Sequence, residues 1–162
     1  MDTRRCTLAD LDELTRLRAA LWPGPSEADH RAEIADALSA RARQAAVFVA
    51  RTDAGEMAGF AEAALRRDHV NGCDTTPVVF LEGIYVVPEH RRRGIARALC
   101  GAVETWGRSL GCTECGSDAD LANAASHGFH AALGFEERER VVFFRKRLRF
   151  EAAPAHGGRP DP

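Results

Sequence analysis

The chain has 162 residues, 22 basic and 24 acidic side chains, a formal net charge of -2, and 45% hydrophobic and 28% charged residues. That length suits one ordinary domain with its own core, the composition excludes a disordered chain, and no apolar run approaches the roughly 18 residues of a membrane span. The near-neutral balance also argues against a general nucleic-acid binder, which expects a strongly basic domain.

Met1 to Cys6 is polar and runs into a helical pattern instead of an apolar stretch, so no signal peptide is expected and the cytoplasm is the implied location. Leu8, Leu11, Leu14, Leu17 and Leu21 recur at spacings of three and four, predicting a first helix that ends at Trp22-Pro23-Gly24. Ser26 and Asp29 read as a capping pair for a second helix carrying Ile34 and Leu38. Ala46 to Ala50 and Met57 to Leu65 flank Asp53-Ala54-Gly55-Glu56, the turn chemistry of an antiparallel hairpin. Arg66 to Thr76, with Asn71-Gly72, reads as a loop. Val78 to Val87 is a long apolar strand interrupted by Glu82 and Gly83.

After Pro88-Glu89-His90 and a basic turn, Ile95, Leu99, Ala102, Val103, Trp106 and Leu110 fall on one helical face. A short strand from Cys112 to Ser117 completes a strand-helix-strand unit, so its two strands should be parallel. A further helix is predicted from about Asn123 to Leu133, stopped by a left-handed Gly134. Phe135 to Phe150 would supply the last two strands, and 151–162, rich in Ala, Pro and Gly, reads as a disordered tail behind a single domain of residues 1–150. Five cysteines without a secretory signal argue against a disulfide framework. Cys112 and Cys115 have CxxC spacing but no second pair, so free thiols are expected there and no metal. Lys146 is the only lysine among the 22 basic residues, which reads as genome composition.

The turn Arg91-Arg92-Arg93-Gly94-Ile95-Ala96 stands between a strand and a helix. The first turn of a helix offers unpaired backbone N–H groups and the positive end of its dipole, a ready anion site. Gly94 and Ala96 would let a diphosphate approach the backbone, and the arginines add counter-charge. Taken without that placement, three arginines are a solvated surface run. The GxxxxGK[ST] and GxGxxG nucleotide loops are both absent.

Arg91-x-x-Gly94-x-Ala96 resembles the R/Q-x-x-G-x-G/A signature of the GCN5-related N-acetyltransferase (GNAT) superfamily. Asn123, Ala124, Ala125 and Phe129-His130-Ala131-Ala132-Leu133-Gly134-Phe135 resemble its second motif. The resemblance implies an α/β fold of the α+β type, with a mixed, mostly antiparallel sheet, a central parallel pair and helices on both faces. It also implies acetyl-CoA as co-substrate, held by Ile84, Tyr85, Val86, the stretch Arg91, Arg92, Arg93, Gly94, Ile95, Ala96 and Arg97, and Asn123. Leu21 to Gly24, Val70 to Asp74, Pro77 to Ile84 and Gly134 to Arg147 are similar to the aminoglycoside 6'-N-acetyltransferases of chromosomal Gram-negative type. That likeness implies a homodimer acting on the 6'-amino group of these antibiotics, with resistance as the result. It places Trp22, His69, Glu82, Asp118 and Glu139 around the aminoglycoside. Two departures stand out: His69 and Phe144 replace tyrosines common among such enzymes. If the second of those hydroxyls protonates the leaving thiolate, another donor must serve here.

The residues themselves support a cation pocket, because a polycation crowded with hydroxyls needs several carboxylates. Glu82, inside an apolar strand, reads either as a pocket acid or as a carboxylate paired with a core arginine. Asp118 and Asp120 follow the next strand, where open α/β sheets place ligands, and Asp120 could equally cap the following helix. Glu139 alone would read as a solvated strand face, and Trp22 as a core anchor. The implied chemistry is direct attack of the amine on the thioester, with an oxyanion held by a backbone N–H near Val86 and Glu82 as candidate base. Proximity would supply about 7–11 kcal/mol of the barrier reduction. A polyamine or peptide N-terminus would use the same pocket. A non-catalytic acyl-CoA-binding or nucleic-acid-binding module is the reading from another class, which the pocket acids oppose by repelling phosphate.

Overall fold

The computed structural model describes residues 1–39 and 44–148. In chain order these form β1 (Asp2–Arg5), α1 (Leu11–Leu21) after a one-turn 3-10 segment, α2 (Glu27–Leu38), β2 (Ala45–Arg51), β3 (Met57–Arg66), β4 (Val78–Val86), α3 (Ile95–Ser109), β5 (Cys115–Ser117) and α4 (Ala124–Leu133). The strands lie in the order β1-β2-β3-β4-β5, with only β4 and β5 parallel.

Local signals set most of these boundaries. The Ser26 hydroxyl accepts from the Asp29 N–H (3.2 Å), and the Asp29 carboxylate accepts in turn from the Ser26 N–H (3.1 Å), a closed capping box at the start of α2. Gly134 stops α4 with φ 93. β1 has no hydrophobic alternation to announce it. Its Arg4 instead reaches Asp10, which is 1% exposed, with two hydrogen bonds of 2.8 and 2.7 Å.

The helices cover both faces of the sheet. α3 lays Ile95, Leu99 and Val103 against Phe48, Ala61, Ala63 and Leu81. On the other face α1 and α2 bring Leu14 and Ile34 onto Val47, Val49 and Phe60. Each such fully buried side chain stabilises the fold by about 1.5–3 kcal/mol. Gly107 allows α3 to lie close, since a Cβ there would fall 2.5 Å from Val79.

Two features of β4 shape the site. Opposite β3, Glu62 pairs with Gly83 and Ala63 with Leu81, so Glu82 is the extra residue of a β-bulge. Opposite β5, the register runs Val79–Cys115, Phe80–Gly116 and Leu81–Ser117 and then stops, leaving β4 from Glu82 onward without a partner on that side.

The expectation of two further strands after Phe135 is not met. Residues 135–148 form no strand, and Val141, Val142, Phe143, Phe144 and Leu148 are exposed. The edge open to them is β5, only three residues long, which offers too few ladder groups to hold a long strand. The parallel pair therefore lies at the sheet's edge among the described residues, not at its centre. β5 itself is shorter than predicted, because Cys112 N–H closes back on Gly107 O (3.0 Å) at the end of α3. The tail from residue 151 lies outside the described residues. All five cysteines are free thiols, and no described helix is long and apolar enough to cross a membrane.

Candidate active site

The arginine turn has the geometry its sequence calls for. Gly94 adopts φ 79 and ψ 0 as the N-cap of α3, and no side chain caps the helix there. Arg92 is also left-handed, with φ 61, a conformation that costs a non-glycine residue on the order of 1 kcal/mol. The first helical bond runs from Ala98 N–H to Gly94 O (3.0 Å), so the N–H groups of Ile95, Ala96 and Arg97 precede the ladder. Arg91, Arg92 and Arg93 are exposed. Arg91 folds back, its Nε donating to Val86 O (2.9 Å) and its guanidinium 5.8 Å from the Tyr85 ring.

Two residues implied for acetyl-CoA are partly engaged elsewhere. Arg97 donates to Ala132 O (2.9 Å), tying the end of α4 to the start of α3. Asn123 is the N-cap of α4, its Oδ1 accepting from Ser126 N–H (3.0 Å), which leaves the amide NH2 to face a ligand. Asp120 does not cap the helix; it accepts from Ala122 N–H (2.7 Å) in the turn before it.

Along the unpaired side of β4 the backbone alternates. Val87 N–H bonds across to Ala58 O on the β3 side (2.9 Å), so the N–H groups of Val86 and Ile84 point the other way. Tyr85 points its backbone toward β3 and packs its ring 6.3 Å from Phe60, on the α1 side of the sheet.

At the bulge the structure brings Trp22 up to Gly83, next to Glu82. Trp22 lies on Gly83 so closely that a Cβ there would stand 2.4 Å from the indole. Asp118 follows Ser117, the last residue of β5 in register with β4, and is exposed where the two strands part. Glu82 is paired, as the alternative reading held, but at the half-exposed surface instead of in the core: Arg66 Nη2 contacts both its oxygens at 2.8 and 3.0 Å. The Arg66 guanidinium rests 3.5 Å from the Phe80 ring centroid. His69 and Glu139 are exposed. His69 is in the loop after β3, and Glu139 follows Arg138, which ties its segment to that loop through Asp74 (3.2 Å).

Sequence reasoning missed a pair where β4 and β5 part. Ser117 Oγ lies 2.9 Å from His130 Nε2 and 3.1 Å from Leu81 O, while His130 Nδ1 lies 2.8 Å from Ser126 O. Ser126 Oγ also lies 3.3 Å from Nδ1, so the ring can hold its hydrogen on Nδ1, donating to the carbonyl, or on Nε2, donating to the Ser117 hydroxyl. That hydroxyl can turn to Leu81 O when Nε2 is protonated, so the pair suits proton transfer. Its signal in the sequence was His130 alone, since the partner depends on the strand register.

Cysteine chemistry is disfavoured: burial, with Glu104 adding to it, pushes the Cys115 thiol up to about 12, and burial raises Cys112 as well. Among the described residues no cluster of three or more His, Cys, Asp or Glu side chains is placed to hold a metal ion.

Comparison with known proteins agrees with this geometry. The Acetyltransferase (GNAT) family matches residues 11–135. An aminoglycoside N(6')-acetyltransferase type 1 from Salmonella typhimurium is 48% identical over 147 residues, covering 91% of this chain and 99% of that protein. The protein of the same name from Serratia marcescens is 50% identical over 143 residues, 88% and 97% of the two chains. The structure of AAC(6')-Iy in complex with the bisubstrate analog CoA-S-monomethyl-acetylneamine matches with a TM-score of 0.85 at 47% identity, covering 91% of this chain and 98% of that one. With a family match over most of its length and the arginine turn, bulged strand and capped α4 in place, the chain belongs to the acetyltransferase (GNAT) family.

Proposed function

We propose that this protein transfers the acetyl group of acetyl-CoA to the 6'-amino group of aminoglycoside antibiotics. The observation that supports the reading is strand β4, which leads from the bulge at Glu82, with Trp22 on Gly83, to the arginine turn at its C-terminal end. The diphosphate of acetyl-CoA sits on Arg91 to Arg97, its arm runs along the free N–H groups of Ile84 and Val86, and the Asn123 amide contacts it from α4. The thioester then lies by the bulge, within the reach of an amine held by the carboxylates. His69 and Glu139 extend the pocket over the outer part of a bulky acceptor.

The amine attacks the thioester carbonyl directly, and a strand N–H such as that of Val86 receives the developing oxyanion. A free alkylamine titrates near about 10, so it must lose a proton first, and Glu82 is the group placed to take it. With Nε2 protonated from solvent, the His130 imidazolium passes that proton through the Ser117 hydroxyl to the departing thiolate and is left neutral, the role left open by Phe144. Residues 1–150 form the catalytic domain and 151–162 a tail, in a protein of the cytoplasm, where acetyl-CoA is made and used.

The enzyme works as a homodimer, a reading supported by the exposed Val142, Phe143, Phe144 and Leu148 and by the short edge strand β5. The test of function is thiol release from acetyl-CoA across aminoglycosides that differ only in bearing a 6'-amino or a 6'-hydroxyl group. Turnover confined to the 6'-amino compounds is expected. Equal rates on both would reject the 6' assignment, and turnover of polyamines alone would reassign the acceptor.

A further inference from the structure

His30, on α2, is 0% exposed and takes no part in the chemistry above. Its two ring nitrogens are both engaged. Arg18 Nη1 lies 3.1 Å from Nδ1, and the Trp22 carbonyl lies 3.0 Å from Nε2. A guanidinium only donates and a carbonyl only accepts, so Nδ1 accepts, Nε2 donates, and a single neutral tautomer satisfies both. The Trp22 carbonyl belongs to the C-cap of α1, one of the orphan acceptors at a helix end, and His30 is its partner.

Arg18 holds the other side of the same residue. Its guanidinium lies 4.9 Å from the centre of the Trp22 ring, and it donates to Glu62 (2.6 Å) and Glu33 (2.6 Å). Glu62 stands opposite Gly83 in the β3–β4 register, and Gly83 is the residue on which the indole lies. Trp22 is thus fixed three times: His30 holds its backbone, Arg18 its ring, and the bare Gly83 backbone receives its edge. Between these helices and the sheet, Leu14, Ile34, Val49 and Phe60 form an apolar core with polar contacts on either side of it. One polar group, Asp10 and Glu13 with Arg51, lies at the far end, and the other, His30 with Arg18 and Glu62, lies at the end next to Glu82.

We propose that His30 and Arg18 are positioning residues for the cationic acceptor, holding Trp22 as the wall of the pocket beside Glu82. This rests on the acceptor reading given above. The test uses His30→Ala and His30→Gln in the full chain. A glutamine amide can accept from Arg18 and donate to the Trp22 carbonyl, so it can replace both bonds of the imidazole.

His30→Ala is expected to raise KM for a 6'-amino aminoglycoside about fivefold or more, while kcat and KM for acetyl-CoA stay within about twofold and His30→Gln restores the acceptor KM. In a Trp106→Phe background, where Trp22 is the only tryptophan, acrylamide should quench its fluorescence more readily in the alanine variant and normally in the glutamine variant. Should the alanine variant fail to fold, Arg18→Lys, which keeps the charge but cannot span Glu62, Glu33 and His30, is expected to show the same rise in acceptor KM. An acceptor KM unchanged in His30→Ala, or raised equally in His30→Gln, would overturn the proposal. Wild-type protein inert toward every aminoglycoside would instead sink the acceptor reading, while the quenching measurement, made without substrate, still decides whether His30 holds Trp22.

Discussion

Glu82 stands between two cations, one of its own chain and one that the acceptor brings. The pair with Arg66 is half exposed, and such pairs contribute only about 0–1 kcal/mol, so a multiply charged ligand can displace the arginine. Stacking on Phe80 gives Arg66 a place to stay when it lets go of the carboxylate. Glu82→Gln is expected to lower kcat about 100-fold as a lost general base, with a smaller rise in acceptor KM, in steady-state kinetics at saturating acetyl-CoA. A raised KM with kcat unchanged would assign Glu82 to binding alone. The residue types of this site were legible in the sequence, Glu82 because a carboxylate interrupts an apolar strand and Gly94 because the turn needs a left-handed residue. Their partners were not. Arg66 is 16 positions from Glu82 and Glu62 is 44 from Arg18, and only the strand register in one case and the packing of α1 on the sheet in the other bring such groups together.

Elements show the same division between local and distant causes. The α2 cap, the α4 stop and the turn before α3 are each encoded within a few residues, and the sequence placed all three. Strand β1 is held by charge instead. Arg4 and Arg51 converge on the buried Asp10, whose carboxylate also accepts from Thr7 N–H (2.8 Å). The hydrogen bonds from Arg4, joined by those from Arg51 and Thr7, hold the Asp10 carboxyl far below the usual carboxylate range against the opposing effect of burial. A depressed acid stabilises the fold above its unfolded pKa and loses that contribution as pH falls through the folded value. Asp10→Asn is therefore expected to cost about 3 kcal/mol at pH 7, with the gap to wild type narrowing below about pH 4. Urea unfolding at the two pH values measures it, and a gap independent of pH would exclude the charge as its cause.

At the scale of the whole molecule, the sheet ends in a short edge and the chain beyond it in uncovered apolar side chains. Phe143 is 87% exposed and Phe144 94%, values that a lone soluble chain rarely carries side by side. The residues after Phe135 read as strand in the sequence, yet 135–148 form none, and the edge open to them is only three residues long. Phe144→Asp is expected to shift the sedimenting species from two chains to one, and a wild type that sediments as one chain would withdraw the dimer. The bulge at Glu82 also reaches beyond its own strand. Before it the odd-numbered Val79 and Leu81 face α3; after it the even-numbered Ile84 and Val86 do. One inserted residue thus resets the phase of β4, so that a strand of uninterrupted alternation would turn Ile84 and Val86 toward α1 and bring Tyr85 round against α3.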